Sequence, residues 1–198
     1  SAPAVQGCAV EIVWKILATL GLVLLNGYFV ASEFAAVGAR TSRLEILAKG
    51  SFLARVALQV KHKLDLYLST CQLGITIASL GLGAVTEPAV AVIVGPALRW
   101  LGVPESQIHA VAFAIALAIS TSLHVVVGEV APKNWAILYP DRLLPVVAVP
   151  LVVFTYLFYP IIWLLNSASN VLLHLSGVDI HGDLHGGLHV DESRAPGS

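Results

Sequence analysis

A few polar residues stand inside long apolar runs, and their types define the chemistry open to this chain. Asn26 and Glu33 lie seven apart in LLNGYFVASEFAAVGAR, two turns along one helical face, with Gly27 permitting close approach of a neighbouring helix. The stretch YLSTCQLGITIASLGLG carries Ser69, Thr70, Gln72 and Thr76 ahead of a glycine-rich end. Ser120, Thr121 and Ser122 precede VVVGEVAPK, where Glu129 sits between Gly128 and Pro132. An amide, several hydroxyls, a carboxylate and glycine-freed carbonyls are hard oxygen donors, suited to Mg2+, Ca2+ or Na+ and not to zinc or copper. Glu129 is the strongest candidate, because Gly128 and Pro132 predict a local helix break that bares backbone carbonyls beside the carboxylate. Taking a divalent ion out of water costs on the order of tens of kcal/mol in the idealised limit, so only a carboxylate joined by several such oxygens could offset it.

Each candidate has a structural alternative. Glu129 could pair with Lys133 at i+4, Asn26 could act as helix–helix glue, and Ser69 and Thr70 could bond their own helix backbone. Glu33 could reach the membrane surface near Arg40, and Cys71 reads as core. His181, His185 and His189 are spaced four apart in HGDLHGGLH, but the glycines between them argue for a mobile tail over a metal site. His124 near Ser120 and Ser122 is the only nucleophile–base combination at depth, too little to read the chain as an enzyme.

The elements that must position these residues are membrane helices. Of the 198 residues, 57% are hydrophobic and 12% charged, about half the charged fraction of a soluble domain, and the mean hydropathy is +0.84. Residues 12–37 make the clearest span. Residues 64–101 form a second region that Gly81, Gly83 and Pro88 predict to be broken. Residues 108–127 form a third span, entered through Pro104 and Glu105. Between the first two spans, residues 40–63 carry Arg40, Arg43, Lys49, Arg55, Lys61 and Lys63 among apolar residues at helical spacing, the pattern of basic helices lying on a membrane surface. That charge fixes the loop on the cytoplasmic side, with the N-terminus outside and the C-terminus inside. The segment after Asp141 is apolar but punctuated by Pro145, Pro150 and Pro160, and reads as a proline-interrupted juxtamembrane belt helix. The expected architecture is an all-α polytopic membrane protein with three transmembrane helices, the second broken. Residues 1–10 form a flexible lead-in, residues 11–175 the membrane domain, and residues 176–198 a linker. Two cysteines give no disulfide framework, and a net charge of −1 leaves no footprint for nucleic acid. No methionine opens the chain and DESRAPGS ends it, which reads as a piece of a longer protein.

Taken together, LNGYFVASEFA, LDLYLSTCQLGITIASLGLG, EPAVA and LHVVVGEVAPK resemble the DUF21 transmembrane domain of the CorC/CNNM family of magnesium transport proteins, over residues 11–175. The resemblance implies a homodimer in the bacterial inner membrane that exports Mg2+ in exchange for Na+. Carried onto matching positions, it makes Asn26 in LNG, Ser69 in YLST, and Gly128 and Glu129 in GEVAPK ligands of a dehydrated Mg2+ between helices. Glu33, Thr70 and Ser32 are secondary positions on the ion pathway. Ser32 stands where family patterns show a simple small residue, and Asn134 follows APK where variation is expected, so the full ligand shell stays open. The segment HGDLHGGLHVDES is similar to the linker that leads into paired cytoplasmic CBS nucleotide-binding modules. No P-loop or other ATP-hydrolysing motif is present, so an ion gradient is the natural driver. The rival reading is a non-transporting membrane anchor or sensor that regulates another carrier.

Overall fold

The computed structural model describes residues 2–175, all in helices and short turns: α1 (Ala2–Gly38), α2 (Thr41–Ala48), α3 (Phe52–His62), α4 (Leu64–Trp100), α5 (Glu105–Leu123), a π-helical turn (His124–Val130), α6 (Ala131–Leu138) and α7 (Pro140–Leu175). Four stretches are long and apolar enough to cross a membrane: Val13–Gly38, Leu64–Val85, Ser106–Leu138 and Pro140–Leu172. Their outward residues are large and apolar, among them Leu17, Leu24, Leu80, Leu117 and Val146. In hydrocarbon such a surface costs nothing, whereas every backbone polar group must be satisfied internally, which helices do. The chain is therefore a multi-pass helical membrane protein.

That constraint explains where the helices depart from the sequence expectations. The second helix is not broken: α4 runs through Gly81, Gly83 and Pro88 without interruption. Glycine costs a helix about 1 kcal/mol relative to alanine, less than exposing unpaired N–H and C=O groups to an apolar medium. The proline-punctuated final segment is likewise one helix, α7, long and apolar enough to cross, where the sequence suggests an interrupted belt. α1 begins at Ala2, so helix extends over residues read as a flexible lead-in; Ala2, Ala4 and Ala9 are strong helix formers. α5 opens one residue later than expected, with Pro104 as its N-cap. The linker of residues 176–198, with His181, His185 and His189, lies outside the described residues.

Up to Phe158 the core gathers around α1. Phe29, Ala35, Ala36, Tyr67, Leu144 and Leu151 are buried in one cluster drawn from α1, α4 and α7. Phe29 meets Tyr28 and Phe154 edge-on, with ring centroids 5.1 and 4.8 Å away. α1 and α4 are antiparallel neighbours: Phe29 packs on Gly74, and Leu22 on Gly81. On α1's other side Gly27 faces Pro132. The turn from α4 to α5 closes as a Schellman motif, with Gly102 at φ 76°. Val103 N–H reaches Leu98 O, and Gly102 N–H reaches Arg99 O.

The basic segment forms α2 and α3, as its pattern suggests, with Arg40, Arg43, Lys49 and Arg55 exposed. Lys61 instead caps α1: its Nζ donates to the carbonyls of Ala36 and Val37 at 3.0 and 2.9 Å, satisfying acceptors at the negative end of the helix dipole. Asp141 accepts the Arg40 N–H at 2.8 Å and lies 3.7 Å from the Arg43 guanidinium, tying the start of α7 to that of α2. At the opposite end of α1, Lys15 pairs with Glu11 at 2.7 Å and holds its carboxyl below the usual carboxylate range.

A Cβ on Gly74 would sit 2.5 Å from three ring atoms of Phe29, a side chain that is 2% exposed and cannot withdraw. Gly74→Ala should therefore lose about 1–3 kcal/mol in reversible unfolding from mixed micelles, with part recovered by adding Phe29→Leu. Gly83→Ala, where no atom lies within 4 Å, should be neutral or stabilising in the same titration.

Candidate functional site

Most hydroxyls in the spanning helices settle locally. Ser32 donates to Tyr28 O, Ser69 to Asp65 O, Thr70 to Leu66 O, Thr76 to Gln72 O and Ser122 to Ala118 O, each one turn back along its own helix. Thr155 does the same to Leu151 O, and its oxygen lies 3.2 Å from that of Thr70, a bond open to either hydroxyl only at the expense of its backbone carbonyl.

One cluster bonds across helices. Asn26, 1% exposed on α1, donates from Nδ2 to the Gly128 carbonyl at 2.9 Å. Its Oδ1 accepts from Ser79 Oγ of α4 at 3.3 Å. Ser79 Oγ also lies 3.4 Å from His124 Nε2, which donates to the hydroxyl in the Nε2-protonated tautomer. An amide, a hydroxyl, an imidazole and a bare carbonyl thus meet where α1, α4 and the π turn come together.

The sequence explains why that carbonyl is available. Pro132, four residues after Gly128, has no N–H to return to it, and Gly128 has no side chain to keep Asn26 away. A Cβ there would lie 3.1 Å from His124 Cδ2 and 3.3 Å from Asn26 Nδ2. The expected helix break takes the form of a π turn, in which Ala131 N–H bonds to Val126 O five residues back.

The candidate ligands are brought together only in part. Asn26 and Gly128 are joined directly. Glu129, the next residue, points elsewhere, since successive helical residues diverge by about 100°. It is exposed and makes no hydrogen bond or ion pair among the described residues. Lys133 does not pair with it; its Nζ lies 4.7 Å from the Phe34 ring centroid, a cation–π contact. Ser69 lies ten residues before Ser79 on α4, about 15 Å away along the axis, at the level of Glu33 in the antiparallel register. Glu33 is half-buried, and Ser32 and Thr70 are buried. No group of three or more His, Cys, Asp or Glu side chains that could hold a metal occurs among the described residues; the donors here are amide, hydroxyl and carbonyl. Sequence reasoning missed Ser79, whose only signal was a hydroxyl deep in an apolar run, and met His124 only as a candidate base.

The profile described as the cyclin M transmembrane N-terminal domain, CNNM, matches residues 17–194. The chain belongs to the cyclin M transmembrane-domain family. It is 44% identical over 172 residues to the UPF0053 protein YhdT of Bacillus subtilis (strain 168), covering 86% of this chain and 37% of that protein. It is 42% identical over 159 residues to UPF0053 protein YhdP of the same organism, covering 80% of this chain and 36% of that one. Uncharacterized protein Rv1841c of Mycobacterium tuberculosis (strain ATCC 25618 / H37Rv) is 35% identical over 175 residues, 88% of this chain and 50% of its own length. The chain thus spans half or less of the length of these relatives.

Replacing Asn26 with leucine would leave the Gly128 carbonyl without its donor and the Ser79 hydroxyl with His124 alone. The expected loss is about 1–2 kcal/mol in micellar unfolding. Asn26→Leu combined with Ser79→Ala should cost less than the sum of the two, because both remove the same chain of bonds.

Proposed function

We propose that this domain carries Mg2+ across the bacterial inner membrane, exporting it in exchange for Na+. The observation that carries the reading is the meeting of Asn26, Ser79 and the Gly128 carbonyl between three apolar helices, with the Glu129 carboxylate on the adjoining residue. These are hard neutral oxygens around one formal charge. Such a set suits a small, hard divalent cation, and release is easy because the loaded site remains net positive.

In the bonding described above, the oxygens do not converge on one point. Asn26 presents its NH2 to Gly128 O and turns Oδ1 to Ser79. For Oδ1 and the carbonyl to face one ion, the amide must rotate and release both bonds. Glu129 must then turn inward, and the π turn is the element with a residue to spare for that movement. Ser69 serves the same path about three turns along α4. Ser32, Glu33 and Thr70 line its continuation toward the side that bears Arg40, Arg43, Lys49 and Arg55, which faces the anionic cytoplasmic leaflet.

Moving two charges outward against 100 mV, inside negative, costs about 4.6 kcal/mol at roughly 2.3 per charge. Export therefore needs a driver, and inward Na+ supplies one. The protein acts as a homodimer with its N-terminus outside, and its C-terminal linker joins cytoplasmic CBS modules whose nucleotide state sets transport.

A second reading has an observation of its own. Asn26 is already satisfied and Glu129 faces outward, as in a membrane anchor or sensor whose polar cluster is packing glue. Calorimetric titration of the purified domain with Mg2+ separates the two. Transport predicts that Asn26→Ala and Glu129→Ala each weaken binding, the latter about a hundredfold or more, and that high Na+ weakens wild-type binding. Unchanged binding in Glu129→Ala, with no Mg2+ flux above that of empty vesicles for the wild-type domain, would establish the anchor.

A further inference from the structure

Between α3 and the third to fifth turns of α7 runs an open groove of about 360 Å3. Phe52, Arg55, Val56 and Gln59 line it from α3, at i, i+3, i+4 and i+7. Val149, Val152, Val153 and Tyr156 line it from α7 at the same spacing. Two matched helical stripes thus face each other across two turns. Val56, Val149 and Val152 form the inner wall, packed into the core.

The polar groups on its edge have unspent hydrogen-bonding capacity. Arg55 is exposed, and its guanidinium rests 5.8 Å from the Phe52 ring centroid. It has no carboxylate partner, since the ion pairs among the described residues are Glu11–Lys15 and Arg43–Asp141. None of the lining residues is acidic. The Tyr156 phenol is 77% exposed. Next to the groove, Lys61 anchors α3 to the last carbonyls of α1, at the end of the apolar stretch Val13–Gly38. A valine trough beside an uncompensated guanidinium is complementary to a hydrocarbon chain carrying an anionic head.

We propose that this groove holds one anionic phospholipid of the surrounding bilayer, its acyl chain along the valines and its phosphate on Arg55. Guanidinium is the side chain best matched to phosphate, by two parallel charge-assisted hydrogen bonds. The site does not depend on which ion the domain carries. It would join α3 to α7 through a ligand drawn from the leaflet.

Native mass spectrometry of the purified domain, offered equal amounts of phosphatidylglycerol and phosphatidylcholine with matched chains, tests the site. The expected result is one retained phosphatidylglycerol, with retention reduced about tenfold in Arg55→Gln and unchanged in Lys49→Gln, which removes the same charge from α2. Val153→Trp should fill the trough at an exposed position and evict the lipid with Arg55 intact, which decides the matter if Arg55→Gln fails to fold. Equal losses in Lys49→Gln and Arg55→Gln would overturn the proposal in favour of diffuse attraction to the basic face. Equal retention of phosphatidylcholine would reduce the groove to a nonspecific acyl contact. A lipid-free dimer that Val153→Arg dissociates would assign the groove to a second copy of the chain.

Discussion

α1 is held on two sides by close contacts made at glycines, and the rest of the domain takes its register from them. On one side the Phe29 ring occupies the space a side chain at Gly74 would fill; on the other, Gly27 lies against Pro132. In water, hydrophobic burial would draw these helices together without such fit. In hydrocarbon that force is absent, and association rests on close packing and polar contacts between helices. The Gly74 contact fixes how far α4 slides along α1, and so puts Ser79 opposite Asn26. The Gly27 contact fixes the approach of the π turn, and so puts the Gly128 carbonyl within reach of the same amide. Two glycines that take no part in the polar cluster determine that it exists.

The second constraint is the requirement that backbone acceptors find donors. Pro132 deprives Gly128 of its usual partner, and Asn26 supplies the replacement. The last carbonyls of α1 are met by Lys61 from α3. The Tyr28 hydroxyl reaches Val147 O on α7, between Pro145 and Pro150. In each case a side chain on one helix bonds the backbone of another, and for Gly128 and the end of α1 it supplies a donor the helix itself does not. This is also why polar residues that look alike in the sequence behave differently. Ser69, Thr70 and Thr76 turn to the second lone pair of a carbonyl one turn back, whereas Ser79 faces an amide on the neighbouring helix.

Much of this was legible beforehand, for reasons that can be named. The first span, read over residues 12–37, corresponds to Val13–Gly38 because apolar length is a direct property of sequence. The helices α2 and α3 followed from basic residues alternating with apolar ones, and the disturbance at Gly128 from glycine and proline flanking one carboxylate. The continuity of α4 and α7 is not legible in the sequence, because the cost of proline and glycine in water does not carry over; in hydrocarbon the alternative to a strained helix is an unpaired backbone. Ser79 escaped notice for another reason. Its partnership with Asn26 is a matter of register between helices 53 residues apart, and no local pattern encodes register. The same holds for Glu129, whose type the sequence gives away and whose direction depends on the phase of the helix that carries it.

That phase is set by the π turn. Seven residues, His124–Val130, are wound with one more residue per hydrogen-bonded ring than their neighbours. The surplus residue acts as a tuck in the thread. While Asn26 pins Gly128, the tuck stays between α5 and α6. Were it drawn out, every side chain beyond it would be re-aimed by about 100°, with no change in the length of chain and no unwinding of either flanking helix. α6 is a crankshaft whose angular position is stored in a single stitch, and the amide of Asn26 is the pin that keeps the stitch from running.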